Sequence, residues 1–243
     1  MKDALTTSNL TASYRDKVAV SGASIRCPIG EVMAIVGPNG AGKTTLIKAA
    51  LGLVPNRSGQ SLFFGESLDT LRKRVGYMSQ AAEVDWDFPA TVYDVVLMGT
   101  YGRRGWFKHP NKQDNKDALA ALHTVGISDL SRRQISELSG GQKQRTFVAR
   151  IIAQNPDLFL MDEPFAGVDV ASEQIIREVL GKLREQGKTI IIVHHDLGTV
   201  KDFCTWATVM SDGKICSNGP IDSAFTPDII SDAYGISMMN GGE

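Results

Sequence analysis

The sequence lacks the cysteine pattern of a disulfide-bonded or zinc-binding protein. Its three cysteines, Cys27, Cys204 and Cys216, are scattered, odd in number and include no CxxC pair. This pattern is typical of small, half-buried hydrophobic residues in a reducing cytosol. We therefore expect these cysteines to serve packing, and a metal or disulfide role has little support.

Long apolar runs and a strong net charge are also missing. No apolar run approaches the roughly 20 residues that a bilayer-spanning helix needs, and no apolar stretch follows the charged start at Met1–Ala4, so no secretion signal is predicted. Any membrane role is therefore expected to come through a partner subunit. With 26 basic and 27 acidic residues among 243, the chain is not expected to have a broad nucleic-acid-binding face, although a local basic patch stays possible.

A glycine-rich segment matches the GxxxxGK[ST] phosphate-loop pattern in full. It follows a predicted buried strand at 32–36 and precedes a predicted helix from Thr45 to Leu51, which is the context that such a loop requires. Its glycines let backbone N–H groups face phosphate oxygens, Lys43 supplies charge to the β and γ phosphates, and Thr44 offers a hydroxyl to magnesium. The segment comprises Gly37, Pro38, Asn39, Gly40, Ala41, Gly42, Lys43, Thr44 and Thr45.

An apolar strand far downstream, 158–161, ends in the acids Asp162 and Glu163, followed by Pro164. A carboxylate at the end of such a strand can reach magnesium at the edge of a parallel sheet. Because adjacent strand residues point to opposite sides, the two acids are expected to differ in role. Asp162 suits magnesium binding, directly or through a water molecule, and Glu163 suits the base that orients or deprotonates the attacking water.

A third segment, Leu138–Ser139–Gly140–Gly141–Gln142, lies between the other two. Small residues at the start of a predicted helix could form a second anion site or simply cap the helix. Taken alone, the segment does not decide between these two roles. Further caps are predicted at Thr91 and at Asn111, the latter for a helix over 112–124, and Asp212–Gly213 predicts a tight hairpin turn.

The order of these three segments resembles that of the ATP-binding cassette (ABC) family, and the resemblance covers nearly the whole chain. It implies an α/β fold: a P-loop NTPase (RecA-like) core with an N-terminal antiparallel β subdomain and an inserted helical subdomain. The core would comprise residues 1–89 and 156–225, the helical subdomain 90–155, and a C-terminal tail 226–243. The resemblance also implies Mg²⁺ and ATP as cofactors.

Family members form head-to-tail dimers in which Ser139, Gly140, Gly141 and Gln142 of one copy would cover ATP on the other. A homodimer is therefore implied here, and the loop 166–169 resembles the one that contacts the second copy.

Three single residues also match the family pattern. Gln80 matches the glutamine that contacts magnesium and the attacking water. His195, directly before Asp196–Leu197, matches the histidine that contacts the γ-phosphate, in preference to His194. Tyr14 occupies the position of the aromatic residue that stacks on adenine, although an ordinary strand aromatic would look the same.

Segments Val84–Val92, Gly99–Phe107 and Arg133–Leu138 resemble ATPase subunits of bacterial importers for manganese, zinc or iron. The resemblance implies a subunit that a polytopic permease holds at the cytoplasmic face of the inner membrane. An extracytoplasmic metal-binding protein would be an indirect partner, and no nucleic-acid partner is expected. Trp86 and Phe88 would form part of the permease groove or, alternatively, pack the helical insertion.

Three other functions compete with this one. An importer ATPase for a metal chelate, such as haem or a siderophore, stays open within the family. A soluble cassette ATPase acting on ribosomes or DNA would predict tandem cassettes, a long coiled-coil insertion or a basic arm, and the sequence contains none of them. A small-molecule kinase would share the phosphate loop but would have no use for Leu138–Gln142.

Overall fold

A computed structural model describes residues 2–15, 17–80, 86–104 and 109–235. The sequence predictions that concern Val84, Asp85, the stretch 105–107 and the end of the tail, 236–243, lie outside these residues. Within the chain, contacts define two compact units: residues 1–70 with 191–243, and residues 71–190. They are called here the first and the second unit.

The described residues form nine strands and ten α-helices. The strands are β1 (Asp3–Tyr14), β2 (Lys17–Pro28), β3 (Val32–Val36), β4 (Asn56–Phe63), β5 (Val75–Met78), β6 (Leu158–Asp162), β7 (Thr189–Val193), β8 (Trp206–Ser211) and β9 (Lys214–Pro220). The helices are α1 (Lys43–Ala50), α2 (Leu68–Leu71), α3 (Val92–Met98), α4 (Tyr101–Arg104), α5 (Lys112–Thr124), α6 (Gly140–Gln154), α7 (Val170–Glu185), α8 (Leu197–Phe203), α9 (Ile221–Ala224) and α10 (Pro227–Tyr234). None of these helices is long and apolar enough to cross a membrane.

The first unit contains an antiparallel sheet in the order β2-β1-β4. The central strand β1 pairs on both sides, so that Leu5 lies opposite Cys27 of β2 and Phe63 of β4. All three side chains are buried, because the alternation of apolar and polar residues turns one face of the strands inward. This confirms the N-terminal antiparallel strands.

The first unit also contains the strand order β7-β3-β8-β9. Every residue of β3 is buried, as expected for a strand covered on both faces. β3 runs parallel to β8, with Ala34 opposite Ala207, and β9 returns antiparallel to β8. The return uses Asp212 and Gly213, both with positive φ (47° and 75°), which confirms the hairpin predicted from this pair.

The second unit contains the neighbouring strands β5 and β6, which run parallel to each other. Helices α3, α5 and α6 lie between β5 and β6 in the sequence, as the predicted helical insertion requires. Each begins with a reciprocal capping box, at Thr91, Asn111 and Ser139, in which the first side chain and the third helical residue satisfy each other's backbone N–H. All three caps lie where the sequence predicts a helix start.

The α/β class is thereby confirmed, with a parallel sheet and an antiparallel N-terminal sheet. The finer division at residues 89, 155 and 225, taken from the family resemblance, stays a prediction.

Close packing of α3 on α6 requires a glycine at position 99. A Cβ atom at Gly99 would lie 2.0 Å from the backbone oxygen of Arg150, far inside van der Waals contact. We expect Gly99→Ala to lower the free energy of unfolding by about 1–3 kcal/mol, the usual cost of overpacking, in urea titrations followed by circular dichroism.

Gly181, inside α7, is the matched control. A Cβ there would meet no atom within 4 Å, so Gly181→Ala should keep or raise stability, by up to about 1 kcal/mol from helix propensity. Equal stability of the two variants would contradict the described α3–α6 contact.

Candidate active site

The phosphate loop of the first unit joins β3 to α1 and depends on glycine for two reasons. Gly37, Gly40 and Gly42 have φ angles of 152°, 84° and 95°, which other residues rarely adopt. The loop is also tightly enclosed. A Cβ at Gly37 would lie 2.2 Å from the backbone oxygen of Met210, and one at Gly42 would lie 2.3 Å from that of Ala19.

The start of α1 has the character of an anion site. Gly42 caps the helix without any side-chain hydrogen bond, and no acidic residue lies in the first turn, so the positive end of the helix dipole has no carboxylate beside it. Lys43 is buried, and its Nζ donates to the backbone oxygens of Gly37 (2.8 Å) and Pro38 (3.1 Å). Thr44 and Thr45 follow, half-buried. This donor set suits a polyphosphate with a bound cation.

The two neighbouring histidines after β7 differ in environment. His194 is buried, and its backbone N–H donates to the oxygen of Ile35 at 3.1 Å, whereas His195 is exposed. The next residue, Asp196, caps α8 and accepts from the Thr199 hydroxyl (2.8 Å) and the Gly198 N–H (3.0 Å). These two bonds, that of Thr199 foremost, lower the pKa of the Asp196 carboxyl. Because His194 is buried and His195 is exposed, the imidazole of His195 is the one that is accessible to a ligand.

Tyr14 lies at the end of β1, opposite Lys17 of β2, and is 46% exposed. An exposed ring at a strand end is available for stacking, as the prediction for Tyr14 requires.

In the second unit, Asp162 is the last residue of β6 and is buried. Glu163 follows with a φ of 52°, so its backbone is left-handed rather than extended. Glu163 therefore lies outside the strand, and the expectation that the two acids alternate as adjacent strand residues is wrong. Asp162 stays within the buried strand end, and Glu163 is half-buried.

Two glutamine side chains contact Glu163. Nε2 of Gln80 donates to Oε2 of Glu163 at 2.9 Å, and Nε2 of Gln144 donates to its backbone oxygen at 3.1 Å. The structure thus brings together Gln80 and Glu163, two residues that the sequence assigns to one site. Gln144 was not predicted. Its only sequence signal is its position two residues after the Leu138–Gln142 segment.

The Leu138–Gln142 segment forms the start of α6. The Ser139 hydroxyl accepts from the N–H of Gln142, and Oε1 of Gln142 accepts from the N–H of Ser139. The helix-cap role weighed for this segment is therefore realised. Ser139 and Gly140 are exposed residues, so the cap leaves room for a second role.

The two glycines of this segment contact the loop at 166–169. A Cβ at Gly140 would lie 2.7 Å from the backbone oxygen of Gly167, and one at Gly141 would lie 2.7 Å from Oδ2 of Asp169. Asp169 in turn caps α7, and its bonds from the Ser172 N–H and hydroxyl lower the pKa of its carboxyl. The start of α6 and the loop before α7 therefore pack as one surface.

Trp86 and Phe88 have different surroundings. The Trp86 ring stacks edge-to-face on Phe147 of α6, with ring centroids 5.1 Å apart, and Nζ of Lys143 lies 4.7 Å from its centroid. Phe88 is 52% exposed. Phe147 also lines a cavity of about 630 Å³ that Tyr77, Met98 and Tyr101 help to form. Trp86 therefore packs on the helices of the second unit, whereas Phe88 presents an apolar ring to solvent.

Metal-ligand side chains are not clustered in the part of the chain that the structure describes: no group of three or more His, Cys, Asp or Glu there could hold a metal ion.

Comparisons with known proteins agree with this site. The family model described as ABC transporter matches residues 20–166. The manganese transport system ATP-binding protein MntB of Bacillus subtilis (strain 168) is 48% identical over 227 residues, which cover 93% of this chain and 90% of that protein. The zinc transport system ATP-binding protein TroB of Treponema pallidum (strain Nichols) is 47% identical, covering 93% and 85%.

Among solved structures, an ABC transporter assigned to the metal-chelate type, in an inward-facing conformation, superposes with a TM-score of 0.83 at 26% identity, covering 95% of this chain and 88% of that one. The phosphate loop, the acid-ended strand and the capped helix between them are thus found in a chain whose relatives are ATP-binding subunits. The chain belongs to the ABC transporter family, as an ATP-binding and ATP-hydrolysing cassette.

Proposed function

We propose that this chain is the ATPase subunit of an importer that carries a transition-metal ion, manganese, zinc or iron, through a membrane permease. This proposal rests on the 48% and 47% identity, over 93% of the chain, to relatives named for manganese and zinc transport. The structural neighbour of metal-chelate type is only 26% identical. A free metal ion is therefore favoured over a chelate as cargo.

ATP binding is assigned to the loop Gly37–Thr45. The start of α1, which has no side-chain cap and no acid in its first turn, suits the phosphates, and Lys43 already lies against this loop through Gly37 and Pro38. Thr44 and Asp162 would hold Mg²⁺, with Gln80 as a further ligand, and the exposed ring of Tyr14 would stack on adenine. Bound Mg²⁺ neutralises charge on the transferred phosphoryl group.

Hydrolysis is assigned to three residues: Glu163, Gln80 and His195. Glu163 would orient or deprotonate the attacking water, and the bond from Gln80 supports this because it holds the carboxylate in one position. His195, exposed where His194 is buried, would contact the γ-phosphate. These roles follow the family pattern residue by residue.

A homodimer would complete each site. Ser139, Gly140, Gly141 and Gln142 of one copy would cover ATP held by the other, and the exposure of Ser139 and Gly140 supports such a contact. The dimer would be held by the permease at the cytoplasmic face of the inner membrane, with an extracytoplasmic metal-binding protein acting on the far side.

The experiment that tests the function is metal uptake. Proteoliposomes containing the chain with its permease and the extracytoplasmic binding protein should accumulate radioactive manganese, zinc or iron when ATP is enclosed on the cassette side. The same vesicles with Glu163→Gln serve as control. Accumulation of a haem or siderophore chelate, without the free ions, would overturn the assignment of the cargo.

Glu163→Gln preserves size and hydrogen bonding but removes the base. We expect ATP affinity to persist while turnover falls on the order of 10²–10⁴-fold, the range for loss of a general base. Binding of a fluorescent ATP analogue and release of labelled phosphate measure the two quantities. Near-normal turnover would mean that another group handles the water.

Lys43→Ala is the contrasting variant, because it removes charge from the phosphates in the bound ground state. Its main effect should be weaker nucleotide binding in the same fluorescence titration. Unchanged affinity in that variant would contradict the assignment of Lys43.

Replacement of Phe88 and replacement of Trp86 by alanine are expected to have different effects. Phe88→Ala should leave the thermal midpoint unchanged but weaken permease docking by about 1–3 kcal/mol if the ring is an interface anchor, measured by co-purification from detergent. Trp86→Ala should lower the stability of the chain itself, because its ring packs on Phe147 and Lys143. Full permease recovery with Phe88→Ala would remove Phe88 from the proposed interface.

A further inference from the structure

The backbone of Glu163 adopts a conformation that is unfavourable for a non-glycine residue. Its φ of 52° lies in the left-handed region, which non-glycine residues enter only when their surroundings impose it. The turn begins directly after Asp162, the last residue of β6. The direction of the Glu163 carboxylate therefore depends on whatever holds this turn in place.

The backbone oxygen of Glu163 accepts two hydrogen bonds. One comes from the N–H of Ala166, at 3.1 Å, and closes the local turn. The other comes from Nε2 of Gln144, also at 3.1 Å, and reaches across from α6. Of these two bonds, only the one from Gln144 ties the turn to another element of the second unit.

Gln144 is an unusual residue for its location. It is 1% exposed, and burial of a polar amide is unfavourable unless the amide is hydrogen-bonded. A leucine of similar size would suit this inward position of α6 for packing alone. The amide is therefore explained by its bond to the Glu163 carbonyl, not by the volume that the side chain fills.

Two amides thus act on one glutamate: Gln80 on the carboxylate and Gln144 on the backbone. We propose that Gln144 is a positioning residue for ATP hydrolysis, which holds the left-handed turn at Glu163 so that the carboxylate stays aligned with Gln80. Because Gln144 lies one turn after the start of α6 at Gly140, a movement of this helix would be passed to Glu163. This inference rests on the proposed role of Glu163 as the base.

The first test is Gln144→Leu in the full-length chain. Removal of the amide should lower kcat for ATP hydrolysis on the order of 10- to 100-fold, as for groups that orient the ligands of metal sites, while KM for ATP stays the same. A kcat close to that of the unaltered chain, or a raised KM with unchanged kcat, would overturn the proposal.

Gln154→Leu is the matched control. Gln154 lies on the same helix, and its Nε2 also donates to a backbone oxygen, that of Val75, at 2.9 Å. This variant loses the same kind of bond away from Glu163, so its kcat should stay near that of the unaltered chain. Equal losses of kcat in the two variants would mean that Gln144 only supports the fold.

A double-mutant cycle separates positioning from general damage. If Gln144 acts through the Glu163 carboxylate, adding Gln144→Leu to Glu163→Gln should cause little further loss in single-turnover hydrolysis of labelled ATP. Independent, multiplying losses would overturn the proposal. If Gln144→Leu lowers the melting temperature below that of Gln154→Leu, Gln144→Met replaces it under the same criteria, because the unbranched thioether follows the glutamine shape more closely.

The same measurements distinguish this inference from the proposed function. Near-normal turnover of Glu163→Gln would reject the role of Glu163 itself. A severe loss in Glu163→Gln, with Gln144→Leu behaving like Gln154→Leu, would keep the role of Glu163 and reject that of Gln144.

Discussion

Backbone segments in this protein approach one another so closely that a single Cβ atom would separate them. In the first unit this holds for the phosphate loop, where Gly37 faces the oxygen of Met210 and Gly42 that of Ala19. In the second unit it holds for Gly99 against Arg150 and for Gly140 against Gly167. The shape of the loop, the packing of α3 on α6 and the exposed start of α6 all depend on this constraint. At all four positions the atom that a Cβ would meet is a backbone oxygen, which cannot move aside as the end of a flexible side chain can.

Lys43 and Glu163 are held in place by two different kinds of support. Lys43 is held by carbonyl oxygens of its own loop, so its charge is positioned locally. Glu163 is held from a distance, by Gln80 at its carboxylate and by Gln144 at its backbone. A binding residue supported by its own loop keeps its position when other elements move. The proposed base, supported by another helix, can respond to that helix, which suits an ATPase whose turnover is coupled to transport.

Exposure separates the groups that serve the fold from those available to partners. His195, Phe88 and Ser139 are exposed, whereas His194 is buried and Trp86 packs on α6. His194 and His195 lie close in the sequence and have similar chemistry, as do Trp86 and Phe88, so residue type alone does not assign these roles. Ser139 and Gly140 show that one segment can begin and cap its own helix and still be exposed.

Much of this protein could be predicted from the sequence because it depends on interactions between residues that are close in the sequence. The caps at Thr91, Asn111 and Ser139 depend on residues within about four positions of each other, and the buried strands and the phosphate-loop motif are short continuous segments, so composition and spacing predict them. The left-handed turn at Glu163 and the bond from Gln144 were decided only by tertiary structure. Gln144 is 19 residues from Glu163, and no local pattern records which distant carbonyl a buried amide will meet. The same holds for the burial that distinguishes His194 from His195, because it depends on how separate elements pack.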